Sequence, residues 1–312
     1  MKIVFAGTPV IAATVLNHLI KSGFQIELVL TQPDRPSGRG NKIIPTPVKE
    51  IAQIHSIEVI QPQSLKTNPD IIEKITKLNP DIMIVIAYGM IIPNELLSIP
   101  QLGCVNIHVS LLPKWRGAAP IQRAIINGDK TTGVTIMQMD SGLDTGNILL
   151  QQEINIEEDD NSQTIHDKLA ILGAEMIVKY LNNHLQIKPI TQAESGVSYA
   201  HKILKSEAQI NWEEDATQIK QKIAGFNPSP GAFSHINDTL IKLWKAKTIL
   251  NQTSHAVPGT IIKADKQLWI TCGNNTVLEI LELQMAGKSR QSSLEFINGN
   301  PNLLSRKFIN IE

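Results

Sequence analysis

The feature that most constrains the fold is an alternation of apolar and amphipathic segments over the first half of the chain. Segments such as KIVFAG, QIELVLT, DIMIVIAYG and GCVNIHV are apolar at successive positions, which is typical of strands buried on both faces. Segments with helical periodicity lie between them, for example VIAATVLNHLIKSG. This alternation predicts an α/β domain with a mostly parallel sheet and helices on both faces, and it favours the carboxyl ends of the strands as the place for a site.

The pattern changes in the second half of the chain. A long helix, predicted over about 161–183, is followed by a stretch without periodicity and then by short strands such as TLIKLWKAKTIL and QLWITCG, separated by tight turns. Closely spaced strands of this kind predict a small antiparallel β-barrel. We therefore predict an α/β domain over 1–189, a linker over 190–205 and a C-terminal β-barrel domain over 206–312.

Composition excludes several classes of protein. The 312 residues carry a formal net charge of zero, so the total charge gives no sign of a nucleic-acid or membrane partner. No stretch reaches the roughly 18 apolar residues of a membrane helix, and the first residues lack the pattern of a signal peptide. The two cysteines, Cys104 and Cys272, are far apart in apolar segments, as expected of buried thiols in a reducing compartment. We expect a cytoplasmic protein.

The strand GCVNIHV carries two polar residues on one face. Because side chains alternate across a strand, Asn106 and His108 lie on the same face, about 6–7 Å apart by strand rise. Single polar residues in such strands are usually satisfied core groups. Two together, at the end of a predicted parallel strand, cost desolvation energy unless they are used, so the pair is a candidate site.

A second polar segment, MDSGLDTGNIL, follows the strand that ends at Met139. Gly142 and Gly146 allow a tight loop in which Asp140 or Asp144 approaches other backbone closely. One alternative is that both aspartates only shape the loop through Asx turns. The other is that one carboxylate lies beside His108 and orients the imidazole.

The absence of several catalytic and ligand-binding motifs limits the reactions that the chain can catalyse. Ser110 has no glycine-flanked nucleophile elbow around it, which leaves little support for a serine hydrolase. No group of His, Cys and Asp has metal-ligand spacing, so we predict no metal site. No phosphate-binding loop or dinucleotide fingerprint occurs. The remaining prediction is a site that polarises a carbonyl and moves a proton, with a nucleophile that belongs to a substrate.

The ordered pair of motifs NIHVSLLPKWRGAAPI and MDSGLDTGNIL resembles the 10-formyltetrahydrofolate-dependent formyltransferases. The resemblance extends over nearly the whole chain, through VFAGTP, AYGMIIP, SYAHKILKSEAQINW and VPGTI. It implies a Rossmann-like first domain, an oligonucleotide-binding (OB) type barrel as the second domain, and 10-formyltetrahydrofolate as the formyl donor, with no metal. The catalytic residues that it implies are Asn106, His108 and Asp144. The folate-binding segment that it implies is Ser110, Leu111, Leu112 and Pro113.

The segment TQPDRPSGRGNKIIPTPVK at 31–49 has four prolines, two glycines and a single acid. Composition alone is typical of a solvated, mobile surface loop. The resemblance instead favours an RNA-binding loop. The chain is most similar to the branch of the family that formylates charged initiator tRNA, and in that branch this loop contacts the RNA. The RNA contacts predicted in this loop are Arg35, Arg39 and Lys42. In the second domain, Lys245 and Lys247 share one face of the predicted strand IKLWKAK and are predicted RNA contacts as well; the alternative is that they are ordinary surface lysines of a structural barrel. We expect no membrane, no obligate protein partner and a monomer.

The sequence departs from the family pattern in two places. Lys114 and Trp115 stand where an arginine followed by an aromatic residue is more usual, and Ser229 stands where a tryptophan is expected. Neither touches the predicted chemistry, although both concern how RNA would dock. The alternatives that the sequence leaves are formylation of a different amine, hydrolysis or oxidation of formyltetrahydrofolate, and a catalytically silent RNA-binding protein. The intact set of Asn106, His108 and Asp144 argues against the last.

Overall fold

The computed structural model describes residues 1–37 and 42–310, which form two compact units. The first unit comprises Met1–Pro120, Thr132–Ile154 and His166–Ala200. The second comprises Ile121–Thr131, Asn155–Ile165 and His201–Glu312. The predicted boundaries at 189 and 206 stay predictions.

The strands up to the end of the first unit are β1 (Lys2–Gly7), β2 (Gln25–Leu30), β3 (Arg35–Ser37), β4 (Lys42–Ile44), β5 (Val59–Ile60), β6 (Ile82–Ile86), β7 (Cys104–His108), β8 (Arg116–Gly117), β9 (Thr131–Gln138), β10 (Ile148–Asn155) and β11 (Tyr199–Ala200). The helices are α1 (Val10–Lys21), α2 (Pro47–Ile54), α3 (Pro69–Leu78), α4 (Asn94–Leu97), α5 (Pro120–Ile126) and α6 (Ser162–Asn183).

The first unit is built on a seven-stranded sheet in the order β10-β9-β7-β6-β1-β2-β5. The pairs β1–β2, β1–β6, β2–β5 and β6–β7 are parallel, whereas β9 runs antiparallel to β7. The prediction of a mostly parallel α/β sheet is therefore confirmed. The carboxyl ends of β1, β6 and β7 meet at one edge, and His108 is the last residue of β7.

The sheet is buried because its strands are apolar on both faces. Ile3, Val4 and Phe5 of β1 are completely buried, as are Met83 and Ile84 of β6. Each such side chain contributes roughly 1.5–3 kcal/mol when it is removed from water. This packing makes β7, the neighbour of β6, a rigid support for the polar residues at its end.

The basic segment that follows β2 contains a short hairpin. Strands β3 and β4 pair antiparallel, with Arg35 opposite Ile44 and Pro36 opposite Ile43. Helix α2 then begins at Pro47, and its N-cap residue Thr46 accepts a hydrogen bond from the Lys49 amide. The two strands of the hairpin thus lie on either side of residues 38–41, which are outside the described ranges, and the capped helix follows the second strand.

The second unit contains α7 (Ala216–Gly225), β12 (Ala232–Ile236), β13 (Thr239–Ile249), β14 (Ile261–Ala264), β15 (Leu268–Thr271), β16 (Val277–Met285), β17 (Gln291–Ser292), α8 (Ser293–Gly299) and β18 (Phe308–Ile309), with 3₁₀ turns at Lys205–Ala208 and Gly273–Asn275. Its sheet has the order β14-β15-β16-β13-β12-β18. The paired strands are antiparallel. The Ile261 amide donates to the Arg306 carbonyl at 2.8 Å, and the Phe308 amide donates to the Gly259 carbonyl at 2.9 Å. These bonds join the two ends of the sheet, which confirms the predicted antiparallel barrel.

A separate core lies inside this barrel. Phe226, Phe296 and Phe308 are almost completely buried there, and the rings of Trp212 and Phe308 lie 5.2 Å apart. Burial raises the pKa of the Cys272 thiol to about 12, as it does for Cys104 in the first unit. Both cysteines are free, so they act as small apolar core residues. Within the described ranges, no helix is long and apolar enough to span a membrane.

Candidate active site

The end of β7 places two polar side chains side by side. His108 is 5% exposed, and Asn106 is partly buried. Both reach the same carboxylate, because Asn106 Nδ2 lies 3.3 Å from Asp144 Oδ1 and His108 Nδ1 lies 3.6 Å from Asp144 Oδ2. The period-two geometry of the strand thus puts them on one face, as the sequence predicts.

His108 faces an acceptor on each side of its ring. Its Nε2 lies 2.9 Å from the carbonyl oxygen of Trp115. A carbonyl can only accept, so Nε2 carries a proton in this contact. Nδ1 faces the Asp144 carboxylate, also an acceptor when it is ionised. An imidazolium, with protons on both nitrogens, satisfies both neighbours.

Asp144 is held at its side chain and by its backbone. Its Oδ2 accepts the backbone N–H of Gly117 at 2.8 Å. Its own backbone is left-handed, with φ at 53°, a conformation that aspartate tolerates better than most residues. The glycine at 146 is required by space, since a Cβ there would lie 1.7 Å from the Gln138 carbonyl oxygen. The loop is therefore shaped to bring one carboxylate to His108.

The other aspartate of this loop has a different task. Asp140 Oδ1 accepts the Gly142 amide at 3.0 Å and the Thr145 hydroxyl at 2.7 Å. This is the Asx-turn geometry that the sequence allowed for either residue. Asp140 shapes the loop, and Asp144 reaches the histidine.

The predicted folate-binding segment is a braced turn. Ser110 is completely buried and donates its hydroxyl to the Lys114 carbonyl at 2.7 Å, so its side chain holds the turn. Leu112 is also buried, and its carbonyl accepts the side chain of Gln151 at 2.9 Å. Leu111 and Pro113 are partly exposed, which leaves these two as the surface of the segment.

Several partners of the site have no motif in the sequence. The Trp115 carbonyl and the Gly117 amide are backbone groups, and Ser198 accepts the Trp115 amide at 3.0 Å through its hydroxyl. Gln192 donates to the loop of Asp144. Both side-chain partners come from the stretch without periodicity. Ser198 directly precedes β11, which pairs parallel with β8, but no sequence pattern marks Ser198 or Gln192 as part of a site.

Two of the three RNA contacts predicted in the first unit lie in the hairpin strands. Arg35, in β3, donates to the side chain of Gln32 at 2.9 Å. Lys42 is the first residue of β4. Arg39 lies outside the described residues. Ile43 and Ile44 are 71% and 46% exposed, so strand β4 presents two apolar side chains to solvent.

The predicted RNA contacts of the second unit are paired with acids. Lys245 Nζ lies 2.9 Å from Asp159, and its contact with that carboxylate raises the pKa of the lysine and lowers that of the aspartate. Lys247 Nζ lies 3.4 Å from Glu279. Both lysines remain exposed. Their ion pairs offset part of the charge that a phosphate would meet.

Together, Asn106, His108 and Asp144 suit chemistry on a carbonyl carbon. The amide nitrogen of Asn106 has a second N–H to offer, and imidazolium N–H groups stabilise a developing oxyanion. Among the described residues no group of three or more His, Cys, Asp or Glu side chains could hold a metal ion. The arrangement can polarise a carbonyl and accept a proton.

Comparison with known proteins assigns the class. Residues 1–181 match the formyl transferase family, and residues 202–301 match the formyl transferase C-terminal domain. The chain belongs to the formyl transferase family, as its sequence motifs predict. It is an enzyme of one-carbon transfer, with formyltetrahydrofolate as the donor.

A relative and two solved structures narrow the comparison. The methionyl-tRNA formyltransferase of Nitrosomonas eutropha is 50% identical over 304 residues, covering 96% of this chain and 95% of that protein. An N-formyltransferase from Helicobacter canadensis, solved with folinic acid and dTDP-3-aminofucose, has a TM-score of 0.65 at 21% identity over 90% of this chain and 98% of its own. Methionyl-tRNA formyltransferase from Clostridium thermocellum has a TM-score of 0.58 at 19% identity, over 81% and 95%. These structures share the fold.

Proposed function

We propose that the chain transfers the formyl group of 10-formyltetrahydrofolate to the α-amino group of methionyl-initiator tRNA, giving N-formylmethionyl-tRNA for translation initiation. The observation that carries this proposal is the 50% identity to a methionyl-tRNA formyltransferase over 96% of the chain. The site agrees with it, because it offers oxyanion donors and a carboxylate without a nucleophile of its own. The attacking group is then the amine of the second substrate.

The oxyanion is stabilised at the end of β7. As the free amine attacks the formyl carbon, a C–N bond forms and the formyl oxygen gains negative charge. Asn106 donates its second N–H to that oxygen, while its first stays with Asp144. His108 supplies a charged donor. Two such donors in a partly buried site stabilise the tetrahedral intermediate.

His108 must exchange a partner to do so. Its Nε2 lies 2.9 Å from the Trp115 carbonyl, and its Nδ1 faces Asp144. The contact with a neutral carbonyl is weaker than the contact with a carboxylate. The formyl oxygen therefore replaces Trp115 at Nε2, and Asp144 keeps the ring oriented and offsets its charge.

Asp144 also manages the proton. The attacking nitrogen must lose a proton, and the carboxylate is the basic group nearest to both donors. When the intermediate collapses, the bond from the formyl carbon to the folate nitrogen breaks. The proton then passes to that nitrogen, so tetrahydrofolate leaves neutral at this atom. The exposed surface of Leu111 and Pro113 is the proposed contact for the folate.

The tRNA is proposed to bind through few phosphate contacts. Arg35 and Lys42 belong to the hairpin strands, and the exposed Ile43 and Ile44 of that hairpin can contact unstacked bases. Arg39 is a further proposed contact from the same segment of the sequence. Lys245 and Lys247 of the second unit are the further contacts, attenuated by their carboxylate partners. Binding with few phosphate contacts is modest and sensitive to salt. The proposal places the enzyme in the cytoplasm, as a monomer.

The direct test compares amine acceptors. Purified enzyme is assayed with 10-formyltetrahydrofolate and, in parallel, methionyl-initiator tRNA, glycinamide ribonucleotide and an amino-sugar nucleotide. We expect formylation of the tRNA alone. His108→Ala should lower kcat by at least about 100-fold, with tRNA binding and the unfolding transition unchanged.

The outcomes separate the parts of the proposal. Faster formylation of either small acceptor would replace the substrate while leaving the chemistry of the site in place. Wild-type kcat in His108→Ala would show that the oxyanion is stabilised elsewhere. Release of formate without any acceptor would make the enzyme a hydrolase.

A further inference from the structure

We infer that Gln192 is a positioning residue that fixes the loop of Asp144, and that Arg116 sets the orientation of the Gln192 amide. This inference rests on the proposed role of Asp144. Gln192 follows helix α6 in a stretch without regular structure, where the sequence gives no reason to expect a site residue.

The first observation is that both N–H groups of Gln192 are used on one loop. Its side-chain nitrogen lies 2.8 Å from the carbonyl of Asp144 and 2.8 Å from the carbonyl of Gly146. The residue is only 8% exposed. A buried amide that bridges two carbonyls two residues apart holds that part of the backbone in a single conformation.

The second observation fixes which way the amide points. The Gln192 oxygen accepts from Arg116 Nε at 3.1 Å and from Arg116 Nη2 at 2.6 Å. A guanidinium can only donate, so the amide oxygen must face it and the NH₂ group must face the loop. If the amide were reversed, its NH₂ group would face the N–H groups of Arg116, and its oxygen would face the carbonyls of Asp144 and Gly146.

The third observation connects the clamp to the carboxylate. Asp144 has a left-handed backbone, which Gln192 holds at the carbonyl of that same residue. The Gly117 amide, next to Arg116, holds its Oδ2 at 2.8 Å. One short strand therefore anchors Asp144 twice, directly through Gly117 and indirectly through Arg116 and Gln192. Without the clamp, the backbone that carries Asp144 can shift, and only the side-chain contacts to Gly117 and Asn106 keep the carboxylate beside His108.

Gln192→Leu tests the clamp with little change in volume. We expect kcat to fall by about 10- to 100-fold, as misplacement of a catalytic group by about 1 Å does. The KM values for folate and tRNA should stay within about twofold, and the pH profile of kcat should move, because the His108–Asp144 pair is altered. Gln192→Glu keeps the size and the Arg116 contact but loses the donors, so it should show the same loss. Gln186→Leu, an exposed glutamine on the same stretch, is the matched control and should behave as wild type.

Hydrogen exchange gives a readout that does not depend on turnover. The Gly117 amide is protected by Asp144, so its exchange should accelerate in Gln192→Leu and stay slow in Gln186→Leu. The inference would be overturned if kcat fell only in proportion to the folded fraction of the variant. In that case the pH profile of kcat would not move and the Gly117 amide would stay protected from exchange. Unchanged kcat in Gln192→Leu beside an inactive Asp144→Asn would overturn the clamp alone. Full activity in both variants would overturn the role of Asp144 as well.

Discussion

Two carboxylates, a partly buried one in the first unit and a buried one in the second, are satisfied in opposite ways. The side chain of Asp144 is 15% exposed, and both of its oxygens accept hydrogen bonds, from Asn106 and from the Gly117 amide. The side chain of Glu279 is only 7% exposed. One of its oxygens accepts from Gln267 at 3.0 Å, while the other makes no hydrogen bond among the described residues and lies 3.4 Å from Lys247 Nζ.

The surroundings explain the difference. Glu279 lies in the regular strand β16, where register alone places it between Lys247 of β13 and Trp269 of β15. Asp144 lies on a left-handed loop whose glycines bring backbone close, and donors from separate segments converge on it. Donors from separate segments meet at one carboxylate only when the tertiary structure brings those segments together. A cross-strand neighbour, by contrast, follows from strand register alone. Burial of an acid is thus a poor guide to function, and the origin of its donors is a better one.

The largest effect that tests this contrast is expected from Asp144→Asn. The amide keeps the shape but loses the negative charge that, in the proposed mechanism, offsets His108 and accepts the amine proton. We expect kcat to fall by at least about 100-fold, with the free energy of unfolding changed by less than about 1.5 kcal/mol. Steady-state kinetics and urea unfolding measure the two. A variant that loses stability and keeps kcat would reverse the contrast.

Glu279→Gln should give a smaller effect of the opposite kind. It keeps the size of a side chain that is only 7% exposed and removes its ion pair with the half-exposed Lys247, and replacing a buried ion pair is often close to neutral for stability. We expect the free energy of unfolding to stay level or rise by up to about 1 kcal/mol, with kcat unchanged. The free energies of unfolding of Glu279→Gln and Lys247→Met, both measured in urea, are compared. The first reports the charge of the acid, and the second reports the loss of the lysine charge with most of its packing kept. A fall in kcat, or a loss of several kcal/mol, would show that Glu279 is held as tightly as Asp144.

A third carboxylate, Asp34, gives the smallest effect and a pH dependence. Hydrogen bonds from Lys49 at 2.5 Å and Gln61 at 2.6 Å hold the pKa of Asp34 below its ordinary value of 3.8. A lowered pKa contributes stability above the ordinary value, and this stability is lost as pH falls through the lowered one. Lys49→Met should therefore cost a few tenths to about 1 kcal/mol near neutral pH. That difference should vanish in urea titrations carried out well below pH 3.8, and a difference that grows in acid would contradict the assignment.

The fold could be predicted wherever the apolar residues follow the period of a strand or a helix. Apolar runs gave the strands of both units, and strand alternation placed Asn106 beside His108. The choice between Asp140 and Asp144 could not be made from the pattern, because both flank glycines in one loop. It depends on which carboxylate the folded loop turns toward β7, a property of tertiary structure.

The missed partners are of two physical kinds. The Trp115 carbonyl and Gly117 amide are backbone groups, present at every residue, so no side-chain pattern can mark them. Gln192 and Ser198 act as single side chains in a segment without periodicity. The carboxylates that pair with Lys245 and Lys247 were also invisible, since Asp159 and Glu279 are distant in sequence.

The pairing of β11 with β8 has a practical consequence for anyone who cuts or grafts this chain. A fragment that stops at 189 keeps every residue of the two motifs and the whole seven-stranded sheet. It leaves behind Gln192, Ser198 and the strand Tyr199–Ala200. Such a fragment would contain the right residues on a loop that has lost the Gln192 contacts, so a transplantable unit has to run through Ala200.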